Sequence, residues 1–253
     1  MTANYNFFEW NYSVLISSLK KIDLNIILIV ILDIVFYFLS GYLIIFWLER
    51  LQPMIASINL PQDVVSLGYE RGRQLLSQVR TFYYLVVLSF IFLLLAIIFL
   101  ISILKGIIWA KITNTKVTFI LISKFLGLNL IWMSFWFLLV FMIAKFIEPS
   151  LAPKFILAII ILGLYFTNTL YTIFMKEQKL KSIISGIVLN IKKIHLFLLP
   201  YTLIFLVFYI ITKLRALLKF KYSILLISLI FVLYAAVLRY YVSTLILQTT
   251  KFK

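Results

Sequence analysis

An all-α, polytopic transmembrane bundle of six spans is the fold class this sequence predicts, on three observations. Six long apolar runs each meet or exceed the roughly 17–20 helical residues needed to cross a hydrocarbon core about 30 Å thick. The chain is 64% hydrophobic and 13% charged, whereas a soluble globular chain is roughly 45–50% apolar and about 25% charged. The 24 Lys and Arg, set against 8 Asp and Glu, stand mostly in short segments between the runs, where basic loops meet anionic headgroups.

The spans fall at residues 24–48, 82–104, 117–144, 155–175, 194–212 and 222–247, and together they make 1–253 a single membrane domain. The first run, 25 residues long, exceeds the apolar region of a signal peptide (about 7–15 residues) and lacks its small-residue cleavage site, so it is expected to be retained. The third and sixth are long enough to tilt or to run on along the interface. Arg239 interrupts the sixth, but the 17 residues before it still suffice for a crossing.

Six spans place both termini on one side. Counting loop charges gives twelve Lys and Arg on the terminal side, Lys105 among them, against ten on the other. That bias favours cytoplasmic termini in a cell membrane. The sequon Asn11-Tyr12-Ser13 would then be silent.

Two connections are amphipathic. Residues 49–81 hold Pro61 and Asp63 as helix-start signals, with Val65, Tyr69, Gly72, Leu76 and Val79 on one stripe. This reads as an interfacial helix or an extension of the second span. In residues 179–194, Leu180, Ile183, Ile184, Ile187, Ile191 and Ile194 recur at helical spacing, bracketed by Lys179, Lys181, Lys192 and Lys193. An apolar stripe with basic flanks suits the surface of an anionic bilayer. The four lysines are therefore candidate lipid-headgroup residues, although a basic loop that is merely helical would look the same.

Charges inside spans are costly, about 2.5–3.5 kcal/mol each on insertion scales. Three occur: Asp33, Lys124 and Arg239. At 1.5 Å per residue they lie about 10–14 Å deep, all in the terminal-side half. Asp33 is expected to pair with Lys124 or Arg239, either to fix helix arrangement or, as intramembrane acids often do, to move protons or ions. In the fourth span Tyr165, Asn168, Thr169 and Thr172 sit at i, i+3, i+4 and i+7, on one helix face. Such a stripe either hydrogen-bonds neighbouring helices, with Asn129 a possible partner, or lines a polar cavity.

Several chemistries are absent. There is no cysteine, hence no disulfide, thiolate site or Cys nucleophile. His195 is the single histidine, at the start of the fifth span. HExxH, GxSxG and the phosphate-cradling P-loop do not occur. The expectation is a non-enzymatic protein with no cofactor or metal. Its net charge of +16 is directed at membrane lipids and not at nucleic acid. Inverted-repeat transporters pair broken spans, yet Pro200 is the one Pro well inside a span and has no counterpart in the second.

The segment Ser182, Ser185, Gly186, Lys192, Lys193, leading straight into an apolar span, resembles poorly characterised bacterial and archaeal six-span proteins. Among them is the membrane domain attached to some glycerophosphodiester phosphodiesterases. The resemblance covers residues 176–247, implies the six-span fold and carries over no catalytic residue. Abundant Ile, Phe, Lys, Tyr and Asn fits an AT-rich prokaryotic genome. The reading is a protein that binds lipids or supports membrane organisation or assembly. The alternatives are a small transporter or channel using Asp33 and the polar stripe, and a subunit of a larger membrane complex.

Overall fold

The computed structural model describes residues 7–56, 68–217 and 223–250. Among them secondary structure is helical throughout: α1 (Phe7–Leu19), α2 (Asn25–Ala56), α3 (Gly68–Leu100), a π-helical turn (Ile101–Lys105), α4 (Gly106–Ile112), α5 (Phe119–Phe146), α6 (Ala152–Glu177), α7 (Ser182–Lys192), α8 (Ile194–Leu217) and α9 (Ser223–Thr249). Six stretches are long and apolar enough to cross a membrane, with α3, the π turn and α4 counting as one. The chain is thus an integral membrane protein of six candidate spans.

Local sequence sets the helix ends. The Asp23 carboxylate accepts the Asn25 backbone N–H at the start of α2. The Thr118 hydroxyl caps α5 by accepting the Leu121 N–H. Pro153 opens α6, where a missing N–H is harmless. Gln178 ends α6 in the left-handed conformation (φ 53°), with its N–H bonded back to the Phe174 carbonyl.

By packing, the chain divides into two compact units: Met1–Ile34 with Ser102–Lys253, and Val35–Ile101. In the smaller unit Trp47 Nε1 on α2 donates to Ser89 Oγ on α3 at 3.1 Å, and the Trp47 ring leans on Phe90. Its outer surface is apolar, with Phe38 and Phe92 largely exposed. In the larger unit α6 is the hub and packs against α4, α5, α7 and α9. Three buried clusters hold it together. One joins Trp109 on α4 to Phe125 on α5 and Tyr171 and Phe174 on α6. The second joins Trp10 and Val14 on α1 to Ile173, Phe197, Val242 and Leu245. The third joins Ile29 on α2 to Ile108 on α4 and Ala236 and Tyr240 on α9.

The buried residues of α6 concentrate in Thr169–Met175, those of α5 in its first half and those of α9 after Ile227. Close packing therefore lies in the terminal-side half of the larger unit. Beyond it Leu157, Ile160 and Phe141 present bare side chains, as a lipid-facing surface requires.

Glycine permits one close approach, at Gly106, and lies in ordinary contact at a second position, Gly186. A Cβ on Gly106 would lie 2.9 Å from Ile122 Cδ1 and 3.1 Å from Phe125 Cδ1, so α4 meets α5 there. A Cβ on Gly186 would lie 3.4 Å from the Leu170 Cα, so α7 rests on the backbone of α6.

One detail differs from the sequence expectation, and two are resolved by the structure. The second span continues past residue 104, because Lys105 is neutralised internally and does not end the helix. Removing it from the loops leaves eleven Lys and Arg on the terminal side against ten. Helix α1 is a 13-residue element packed on α9, and Asn11 of the sequon is buried in it. Of the amphipathic helix expected in 49–81, Pro61, Asp63 and Val65 lie outside the described residues. Tyr69, Gly72, Leu76 and Val79 belong to α3, an extension of the second span.

Candidate functional site

The charge cluster forms where three helical segments meet. Asp33, eight residues into α2, has no exposed surface. Its Oδ1 accepts Lys105 Nζ at 2.5 Å, and its Oδ2 pairs with Arg239 Nη1 from α9. Both cationic side chains keep 12% of their surface exposed. The π turn matters here, since the extra residue of a π turn rotates side chains relative to a regular α-helix and Lys105 is its last residue. Two cations share one carboxylate, so the cluster carries a formal excess of one positive charge.

Lys124 is not part of this cluster. Helix α5 begins at Phe119, so Lys124 is within its first two turns and is exposed. A long aliphatic stem lets such a lysine reach the interface without a partner. Sequence reasoning missed Lys105 because a lysine followed by glycine at the end of an apolar run reads as a stop. The apolar Ile-Ile-Trp-Ala continuation of α4 was the available signal.

The polar stripe of α6 faces α7 and α8. Thr169 Oγ1 donates to Asn190 Oδ1 at 2.7 Å, and Tyr165 OH donates to the Asn190 carbonyl at 3.1 Å. Asn168 Nδ2 reaches Tyr201 OH at 3.4 Å, while the Thr172 hydroxyl donates to the Asn168 carbonyl at 2.9 Å. Asn129 serves a different residue. Its Oδ1 accepts Tyr171 OH at 2.5 Å, and its Nδ2 donates to Ser102 Oγ at 3.1 Å. Trp132 Nε1 donates to Thr167 Oγ1 at 2.8 Å. These polar atoms join helix to helix. Ser182, Gly186 and Asn190, spaced four apart on α7 and all buried, are the face that receives the stripe. The apolar residues Ile184, Val188 and Ile191 point outward instead.

Next to this junction is a cavity of about 670 Å³. The end of α6 gives it Ile173, Lys176 and Glu177. α7 and its C-terminal edge give Ser185, Val188, Leu189, Lys192 and Lys193, and α9 gives Leu247, Thr249 and Thr250. Three ammonium groups and three hydroxyls thus stand against one carboxylate over an aliphatic wall. Val188 lines the cavity and is also 41% exposed beside Ile184 and Ile191 on α7. Lys192 and Lys193 are among the lysines singled out in sequence; Lys179 and Lys181 are exposed at the start of α7 and do not line it. Lys176 was not singled out, being hidden at the end of an apolar span.

Outside the spans, Asp23 is tied to Tyr240 OH at 3.1 Å and to Asn25 Nδ2 at 2.5 Å. Desolvation pushes its carboxyl upward, but the hydrogen bonds from Asn25 and Tyr240 together outweigh that and hold it below the usual carboxylate range. His195 is exposed on α8. Among the described residues no group of His, Asp and Glu could hold a metal ion.

No family model, curated protein or solved structure matches this chain, and the resemblance of residues 176–247 remains an expectation.

Proposed function

We propose that this integral membrane protein is non-enzymatic and binds the headgroup of an anionic membrane lipid, in support of membrane organisation or assembly. One observation carries the reading: the cavity lined by Lys176, Lys192 and Lys193, with an aliphatic wall that includes Val188 of α7. A lipid phosphate needs cationic donors and an apolar path for its chains; the three lysines and the aliphatic lining of this cavity support that reading. At 11 residues α7 is too short to cross a bilayer, and its exposed Ile184, Val188 and Ile191 would lie at the level of the acyl chains. With the termini in the cytoplasm, the cavity would face the leaflet richest in anionic lipid.

The test is lipid-dependent stability of the purified full-length chain in mild detergent. A ligand at a hundredfold excess over its Kd stabilises by about 2.7 kcal/mol. Phosphatidylglycerol is expected to raise the melting temperature, phosphatidylcholine is not, and Lys176→Gln/Lys192→Gln/Lys193→Gln should abolish the shift. An equal response to both lipids, or an undiminished shift in the triple variant, overturns the proposal.

A further inference from the structure

A second cavity, of about 420 Å³, adjoins the first and shares Lys176 and Leu247 with it. Its lining has a different chemistry. Besides Lys176 it presents Thr113, Asn114 and Thr115 from the α4–α5 connection, Thr172, Met175 and Gln178. Hydroxyls and carboxamides replace ammonium groups. Asn114 (φ 54°) and Gln178 (φ 53°) are the non-glycine residues with positive φ among those described, and both line this cavity. The left-handed conformation is strained for a residue with a side chain, and more so for Gln than for Asn. Glycine is the usual occupant of such a helix end. Asn114 is exposed and Gln178 half-buried, so both carboxamides are accessible from this cavity.

We infer that the two cavities hold one ligand: a phospholipid whose phosphate sits among Lys176, Lys192 and Lys193 and whose headgroup ends in hydroxyls that reach the carboxamides of Asn114 and Gln178. This rests on the lipid reading above and narrows it to anionic lipids with a polyol headgroup. A carboxamide both donates and accepts, which matches a hydroxyl, itself donor and acceptor. Lys176 borders both cavities, where the phosphate would join its polyol.

The experiment compares phosphatidylglycerol with phosphatidic acid of the same acyl chains, which has the phosphate and no polyol. Binding to the full-length protein in mild detergent is read by native mass spectrometry. The variant Asn114→Gly/Gln178→Gly removes both carboxamides and suits the left-handed backbone, so folding is retained; an unchanged melting temperature without lipid checks this. Phosphatidylglycerol affinity should fall about tenfold, the value of two modest hydrogen bonds, and phosphatidic acid affinity should stay within about twofold. If both lipids weaken together, or neither does, the polyol assignment is overturned. Loss of both lipids in Lys176→Gln/Lys192→Gln/Lys193→Gln alongside that result leaves the headgroup site standing. Retention of both lipids in that triple variant removes the site itself. If soluble glycerol 1-phosphate displaces phosphatidylglycerol at equal concentration, the ligand is a water-soluble phosphate, which also overturns the inference.

Discussion

Replacing Asp33 with Asn keeps the shape of the side chain and removes the one negative charge that Lys105 and Arg239 share. Asp33 has no exposed surface, so water cannot take over its role. Two unit charges about 4 Å apart interact by about 4 kcal/mol at an effective dielectric of 20. In Asp33→Asn two such attractions vanish and the cations are left facing each other. Their 12% exposure lets them retreat in part toward the interface, which offsets some of this. Breaking a buried pair by removing one partner typically costs about 3–5 kcal/mol, and that is the expected loss. Denaturant unfolding in mixed micelles, followed by Trp fluorescence, measures it. The apolar replacement Asp33→Leu/Lys105→Leu/Arg239→Leu supplies the control. Exchanging a whole buried ionic group for apolar side chains is often neutral or stabilising, so the triple variant should be clearly more stable than Asp33→Asn. A loss below about 1 kcal/mol in Asp33→Asn, or a triple variant less stable than the single one, would refute the reasoning.

Other outcomes follow from the same geometry. Lys124→Gln should change stability by less than about 0.5 kcal/mol, as an exposed substitution does, whereas Arg239→Gln should cost several-fold more in the same unfolding assay. Asn190→Ala leaves the Thr169 hydroxyl without its acceptor, while Tyr165 keeps its bond to the backbone carbonyl of residue 190, and should cost about 1 kcal/mol. Cysteine pairs placed across α6 and α7, in a chain with no native cysteine, should cross-link more slowly in that background. Gly106→Ala forces a Cβ into Phe125, which is fully buried, and overpacking of this kind costs about 1–3 kcal/mol. Gly186→Ala meets only ordinary contact at 3.4 Å and should be close to neutral by thermal melting, but Gly186→Leu should drive α7 off α6.

Much of this architecture is legible in the sequence, for a physical reason. In lipid every backbone polar group must be satisfied within the helix, so span-length apolar runs leave little choice of secondary structure. Asp33 stood out because a lone acid in such a run needs a partner, and Arg239 at matching depth was a natural one. Lys105 was illegible because a cation beside glycine marks a helix end unless a buried anion waits for it, and no local pattern reveals that anion. Helix α7 was read by its apolar stripe and basic flanks; Ile184 and Ile191 of that stripe are exposed, whereas Ile183 and Ile187 pack against the cluster around Phe125 and Phe174. The closest-packed residues are small and polar, Ser182, Gly186 and Asn190, with Ile183, Ile187 and Leu189 beside them. In a bilayer, close approach and hydrogen bonding drive association between helices, so apolar periodicity alone does not show which residues of α7 make its closest contacts. The second cavity depends on two helix ends meeting across a loop, a long-range relation that spacing along the chain does not encode.

The central claim, a headgroup site at the end of α6, is tested most directly by the lipids that stay with the protein. The wild-type chain and Lys176→Gln/Lys192→Gln/Lys193→Gln would be purified side by side in mild detergent and their bound lipids identified by mass spectrometry. About one anionic phospholipid should accompany each wild-type chain and be lost from the variant, with zwitterionic lipid unchanged in both. Wild-type protein free of anionic lipid, or a variant that retains it in full, would contradict the account.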